Sequence, residues 1–199
     1  GAVAQLQHTE GGEQVVGNAG LRRTRIQNYD ARWAFYPAPG EVVSVGVFGK
    51  WFRDPIEQRF LARSGTDTRT FENAESAVDY GIEVEVAARL GRLAPWLDPV
   101  SAFANVTLME SEVRTGVPDD EPRAMVGQAP YVVNAGLTYG GTERGLGVTV
   151  LYNVVGPRIT NARASGTQVD NVVEQPRHQL DLSIRVPVSA GAALKLDVR

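Results

Sequence analysis

The apolar-alternating segments of this chain are joined by connections of two sizes, and the sizes take turns. Short connections contain residues 37–40, 91–97, 140–145 and 187–190. Long polar connections fall between them, at 53–70, 113–128 and 156–175. Short turns on one side and long loops on the other are what a transmembrane β-barrel requires. A soluble sandwich has no reason to sort its loops in this way.

Composition allows that reading and removes several others. The 199 residues are 43% apolar, yet no apolar run reaches the eighteen or so that a membrane helix needs. A barrel strand offers lipid only every second residue, so a slightly negative mean hydropathy fits it equally well. A net charge of −3 with no basic stripe argues against nucleic acid as a partner. Without cysteine there is no disulfide, thiolate nucleophile or Cys-ligated zinc. Arginine outnumbers lysine nine to one, which carries no functional reading by itself. The chain opens on Gly1 with no visible signal peptide, so it reads as an internal piece of a longer precursor.

Eight strands are expected, at 24–36, 41–52, 71–90, 100–113, 129–139, 146–155, 177–186 and 192–199. The first twenty residues read as a polar loop with a weak strand near 3–7. No segment keeps a helical period, and Pro37, Gly40, Gly91, Pro99, Gly140 and Pro187 punctuate the strand ends.

The segment 129–139 has the clearest alternation. Tyr131, Val133, Ala135, Leu137 and Tyr139 share one face, opposite Val132, Asn134, Gly136 and Thr138. From one tyrosine to the other the strand rises about 27 Å, or ~20 Å along a membrane normal at a tilt of about 40°. That matches the apolar band of a barrel between its two aromatic girdles, where tyrosine keeps its ring in lipid and its hydroxyl in water. Tyr80, Ile82, Val84 and Val86 likewise oppose Asp79, Glu83, Glu85 and Arg89, and Leu180, Leu182, Ile184 and Val186 oppose Gln179, Asp181 and Arg185. Ionised groups along one whole face must meet water. Trp33, Phe35, Tyr131, Tyr139 and Tyr152, close to strand ends, read as girdle anchors rather than a ligand platform.

These residues resemble the C-terminal barrel of TonB-dependent outer-membrane receptors. The resemblance is carried by Asn28-Tyr29-Asp30 through Trp33, Tyr36-Pro37, Pro39-Gly40-Glu41, Ser44 to Phe48 and Asp54-Pro55-Ile56-Glu57. Asn73 to Ala77, Tyr80 to Glu85, Gly127 to Asn134, Leu151-Tyr152-Asn153 and Leu180 to Ser183 extend it over 17–199. It implies an all-β fold, an antiparallel up-and-down transmembrane barrel, of which residues 1–199 supply about eight of 22 strands as the C-terminal portion. It further implies a plug and a TonB-engaging box, neither of which is expected within these residues, and one more strand ending in an aromatic residue. The expected location is the bacterial outer membrane. Expected partners are outer-membrane lipid, TonB through the plug and its box, and a small-molecule, glycan or peptide ligand. No cofactor, metal or enzymatic activity is expected. Two other readings stay open: a passive porin or adhesion-type barrel, and a secreted carbohydrate-binding β-sandwich.

Candidate chemistry is thin. Glu83 and Glu85 are spaced as an acid/base pair could be, but a hydrated wall explains them more simply. His8 and His178 lack metal-ligand spacing, and no Gly-x-Ser-x-Gly elbow occurs. The glycines around 140–147 suit a turn better than a phosphate loop. Asp119, Asp120 and Glu121 form an acidic loop cluster near Arg114 and Arg123 that a solvated tip explains as well as a Ca²⁺ site. By the resemblance, the long loops face outward, and their candidate ligand contacts are Arg59, Arg63, Arg114, Asp119, Asp120, Arg123 and Arg163. Arginine there could meet phosphate or another anion through its planar fork.

Overall fold

The computed structural model describes the backbone of residues 7–10, 13–63, 66–140, 145–163, 170–189 and 192–199. In chain order the strands are β1 (Gln7–Glu10), β2 (Glu13–Val16), β3 (Arg25–Phe35), β4 (Val42–Arg53), β5 (Ile56–Arg63), β6 (Thr66–Asn73) and β7 (Ser76–Arg89). After two 3-10 turns, Leu90–Arg92 and Pro95–Leu97, come β8 (Val100–Arg114), β9 (Tyr131–Tyr139), β10 (Gly147–Val155) and β11 (Arg158–Arg163). β12 (Val172–Glu174), β13 (Arg177–Ser189) and β14 (Ala192–Val198) complete the chain.

Eight of these strands form one antiparallel sheet in the order β14-β13-β10-β9-β8-β7-β4-β3, an unclosed up-and-down wall. They are the eight strands expected from the sequence, with ends shifted by a few residues. The largest shift is at 71–75, where the chain changes partners. Glu75 donates its N–H to Arg114 O and Ala74 to Pro55 O, so the wall strand begins only at Ser76.

The register explains why one side of the wall takes lipid and the other water. One cross-strand row reads Trp33, Val45, Val84, Val106, Val133, Val154 and His178. The next row, one residue along each strand, reads Ala34, Ser44, Glu85, Asn105, Asn134, Asn153 and Gln179. Neighbouring rows point to opposite faces because side chains alternate along every strand. The first row therefore belongs to a hydrocarbon-compatible surface and the second to a hydrogen-bonding one. On the polar face Asn153 Nδ2 donates to Asn134 Oδ1 at 2.6 Å, and Arg32 reaches both Glu85 (2.5 Å) and Ser44 (3.0 Å). The same row begins near the short-turn end of β3 and finishes near the long-loop end of β13, the stagger that tilted barrel strands impose.

A sandwich would bury Tyr131, Leu137, Leu182 and Val84 together. Instead all four lie on one face of one sheet, and Leu137 is 52% exposed. Tyr29, Trp33, Leu180 and Leu194, on that face, are each more than 60% exposed. An apolar surface this continuous is not left to water. Among the described residues the buried cluster is small: Ala74, Ala77 and Val113, packed against Phe52 and Met125 at the roots of β7 and β8.

The short connections behave as expected. Glu41 N–H bonds Ala38 O at 2.9 Å across Pro39 and Gly40, and Gly40 takes φ of +81°. Proline followed by a left-handed glycine is the signature of a type II turn. The long connections differ from expectation, because 53–70 and 156–175 are not open loops. They carry β5, β6, β11 and β12, which join β1 and β2 in a second sheet ordered β1-β2-β6-β5-β11-β12. That sheet contains two parallel pairings, β2 with β6 and β5 with β11. The first twenty residues thus supply a hairpin, β1–β2, where a loop was expected; most of the weak strand near 3–7 falls outside the described residues. These strands escape a period-two reading because they are short and polar on both sides.

Two outcomes follow. Ala135→Arg, in the middle of the apolar face of β9, is expected to lower the stability of the assembled full-length barrel by about 2–4 kcal/mol, and Asn134→Arg by far less. Equilibrium unfolding in lipid vesicles measures both. The Phe103 and Leu151 side chains overlie Gly136, where an added Cβ would clash with Phe103 and meet Leu151 at 2.9 Å. Gly136→Val should therefore cost about 1–3 kcal/mol through overpacking, read as a lower melting temperature of the heat-modifiable form.

Candidate functional site

The second sheet sits at the long-connection end of the wall, and an ion-pair cluster fastens its parts together. The chain leaves the wall at Asp54, whose φ of +54° is tolerated by a short polar side chain, and Pro55 then starts the hairpin β5–β6. Asn73 clamps this bend by donating to Asp54 O (2.8 Å) and Arg22 O (3.0 Å).

Along β5, Glu57 and Arg59 are two residues apart and so share a face. Both are nearly fully buried, at 5% and 2% exposure. Arg123, from the loop between β8 and β9, donates to Glu57 and is itself buried. Arg59 Nη1 donates to Arg163 O at 2.9 Å, linking β5 to β11 where the two run parallel. Its Nε lies 3.9 Å from Glu72 and makes no hydrogen bond. Arg163 Nη2 donates to Asp120 at 3.1 Å, and Thr115 Oγ1 donates to the other oxygen of Asp120 at 2.6 Å. Burial, followed by the charge of Arg123, pushes the Arg59 guanidinium below its ordinary value, against the pull of Glu57, Glu72 and Asp120. An arginine starts so high that it remains charged.

This cluster gathers Arg59, Asp120, Arg123 and Arg163 from three separate stretches of chain. Glu57, Glu72 and Thr115 join them and were not singled out from the sequence. The available signal was the Glu57-x-Arg59 spacing, which puts opposite charges on one strand face. Arg114 and Asp119 stand apart, and of Arg63 only the backbone is described. Arg114 pairs with Glu112 at 2.7 Å on an exposed strand end. Asp119 is exposed at a turn with φ of +65°. Arg63 ends β5, in register with Thr66. These contacts set the guanidinium groups of 59, 123 and 163 against the carboxylates of 57, 72 and 120. With Glu57, Arg59, Asp120 and Arg123 buried and engaged with one another or with neighbouring strands, it suits holding parts of the chain together better than capturing an ion. Among the described residues no group of three or more acidic or histidine side chains could hold a metal.

Below the cap, the polar face of the wall is lined by Asn134, Asn153, Glu85 and Arg32, and higher up by Lys50 and Asp79, which stand 3.8 Å apart, with Gln128 donating to Asp79 at 2.8 Å. Glu83 and Glu85 sit on this wall, and Glu85 is occupied by Arg32. Such a surface suits water and polar solutes.

The sequence model of the family described as TonB dependent receptor-like, beta-barrel, matches residues 2–199. No curated protein sequence matches the chain significantly. Among solved structures, the ferric enterobactin receptor PfeA of Pseudomonas aeruginosa, in complex with enterobactin, superposes with a TM-score of 0.60 at 18% identity, over 93% of this chain and 28% of its own. The copper transporter OprC gives 0.65 at 16% identity, over 91% and 27%. The FrpB iron transporter of Neisseria meningitidis gives 0.56 at 16%, over 87% and 26%. This chain thus spans about a quarter of the length of each of these proteins. With strand order, register and family match in agreement, the chain belongs to the TonB-dependent receptor-like β-barrel family and forms part of such a barrel's wall.

Proposed function

We propose that residues 1–199 are the C-terminal portion of the barrel of a bacterial outer-membrane receptor that imports a scarce, bulky solute with energy delivered through TonB. The observation that carries this reading is the alternation, residue by residue along seven paired wall strands, of a valine-rich row on one face with a row of Ser44, Glu85, Asn105, Asn134, Asn153 and Gln179 on the other. A wall of that kind presents hydrocarbon to lipid and hydrogen-bonding groups to a wide interior, and the second sheet caps one end of it. The capped, long-connection end faces outward and receives solute. A plug, held in the interior against the polar face, would couple to TonB through its box. The barrel makes and breaks no bonds, so the receptor is a transporter rather than an enzyme. The related structures named for enterobactin, iron and copper support a small, metal-associated solute over a glycan or peptide. A passive porin or adhesin gains no support from them, and neither does a soluble sandwich.

Within this reading the buried ion pairs are a latch. Glu57, Arg59, Arg123, Asp120 and Arg163 hold the hairpins and the 115–130 loop as one rigid cap. Solute then meets its rim, where Arg63, Arg114 and Asp119 lie.

The direct test is uptake by the full-length protein in cells with and without TonB, using radiolabelled ferric and cupric chelates. Accumulation that requires TonB supports the proposal; accumulation that is the same without TonB supports a porin. A second outcome concerns the latch. Glu57→Gln leaves buried Arg123 without its counter-charge and should destabilise the cap by about 3–5 kcal/mol. Glu112→Gln, at an exposed pair, should change stability by at most about 1 kcal/mol. Hydrogen exchange across 56–63 and 115–130 distinguishes the two: faster in the first variant, unchanged in the second.

A further inference from the structure

Charge on the polar face of the wall is sorted by strand. β9 and β10 contain no Asp, Glu, Lys or Arg, and the charged residues of β8, Glu110, Glu112 and Arg114, all alternate onto the opposite face. The register shows where the boundaries fall. One row crosses from Glu83 through Thr107, Val132 and Val155 to Arg177. The next runs from Glu85 through Asn105, Asn134 and Asn153 to Gln179, which donates to Asp181. A third passes Phe103, Gly136 and Leu151 and ends at Asp181. A fourth goes from Arg89 through Ser101, Thr138 and Thr149 to Ser183 and then Asp197.

Three strands thus present amides, hydroxyls and apolar groups, and ionised groups begin on β7 and β13. β8, β9 and β10 each have both neighbours in place, so the panel is no product of an unpaired edge. With strands about 4.8 Å apart, it fills ~19 Å between β7 and β13, and its four rows span ~20 Å of height. Within it Asn153 donates to Asn134 at 2.6 Å, and Thr138 and Thr149 stand 3.3 Å apart. Phe103 and Leu151 close over Gly136. On the flanks the charges hold one another: Lys50 lies 3.8 Å from Asp79, and Lys195 lies 3.1 Å from Asp197. The panel's upper edge, at Met109 and Ser111, adjoins a cavity of about 360 Å³ that Gln128 also lines. The side-chain oxygen of Gln128 is buried and accepts no hydrogen bond among the described residues, so it calls for a donor from whatever occupies the cavity.

Charged and uncharged walls serve different ends in a wide interior. A charge meeting its opposite makes a fixed, oriented contact, which suits holding a folded domain. A solute in transit needs contacts favourable enough to enter and weak enough to leave. Neutral amides and hydroxyls repeated across three strands supply such contacts with no counter-charge to trap the traveller, and Phe103 and Leu151 add apolar ones.

We propose that the uncharged panel of β8, β9 and β10 is the side of the lumen along which solute travels. The solute it suits has a neutral, hydrogen-bonding surface, as does a metal chelate whose charge is cancelled by its own ligand. The proposal rests on the receptor reading and adds to it where the path runs and what surface the solute shows. The charged strands on either side are left to hold the plug.

The test uses the full-length receptor in cells, with the radiolabelled ferric or cupric chelate that wild type accumulates. N134D/N153D adds two charges to the panel with no change in side-chain size, and Q179E/S183D adds two on the β13 flank. Heat-modifiable migration verifies assembly, with N105D replacing the panel variant should that fail to assemble. Chelate binding on ice should stay within twofold of wild type for both variants. TonB-dependent accumulation should be at least fivefold slower for N134D/N153D and within twofold for Q179E/S183D. A wild-type rate in the assembled panel variant overturns the path. Equal slowing by both variants overturns it too, since the effect then follows charge anywhere on the wall. Entry of raffinose into N134D/N153D cells without TonB reassigns the panel to holding the plug and overturns the path. Equal accumulation by wild type with and without TonB removes the receptor reading itself, and the proposal with it.

Discussion

Every feature of this chain depends on complete backbone pairing within the wall. A peptide group in hydrocarbon has no water to bond, so a spanning strand needs a partner on each side. The antiparallel meander from β3 to β14 supplies those partners between consecutive wall strands, with unbroken register along almost all of its length. Once the ladder is fixed, the faces follow automatically, because a shift of one residue would send Glu85, Asn134 and Gln179 into lipid together. The valine row and the asparagine row therefore reinforce one register, and each is the other's safeguard.

The wall has little conventional core, and the cap compensates locally. Where β4, β7 and β8 emerge at the long-connection end, Ala74, Ala77 and Val113 pack with Phe52 and Met125. Above them, ion pairs take over from apolar burial. Buried ion pairs contribute less to net stability than their closeness suggests, since each group gives up its water. What they supply is geometry: Arg123 fits beside Glu57, and Arg163 beside Asp120, only when three separate chain excursions lie in one arrangement. A receptor that must present a defined outer rim, yet yield to solute, has a use for such a fastening.

The wall was legible in the sequence because lipid and water enforce a period of two over nine residues or more. Tyr131 to Tyr139 shows this at its plainest, and the paired glycines and prolines of the short turns mark its limits. The cap was less legible. Strands β5, β6, β11 and β12 are held by ladders and by charge, and in Ile56–Arg63 polar residues fall on both faces. The parallel contacts of β2 with β6 and of β5 with β11 join segments more than fifty residues apart, which no local pattern records. The loop arginines were recognisable as a group. Which of them would be buried was not, because Arg59 and Arg114 differ in burial only through tertiary position.

The central claim is that adjacent residues of one wall strand live in different solvents. These 199 residues contain no cysteine, so single cysteines can be placed at 132–138 one at a time, in a full-length receptor from which any other cysteine is removed. In isolated outer membranes, a bilayer-dissolved quencher should extinguish a fluorophore attached at 133, 135 and 137. A water-soluble thiol reagent should instead modify 132, 134 and 138, position 136 being covered by Phe103 and Leu151. Loss of that two-residue rhythm, with odd and even positions responding alike, would contradict the account.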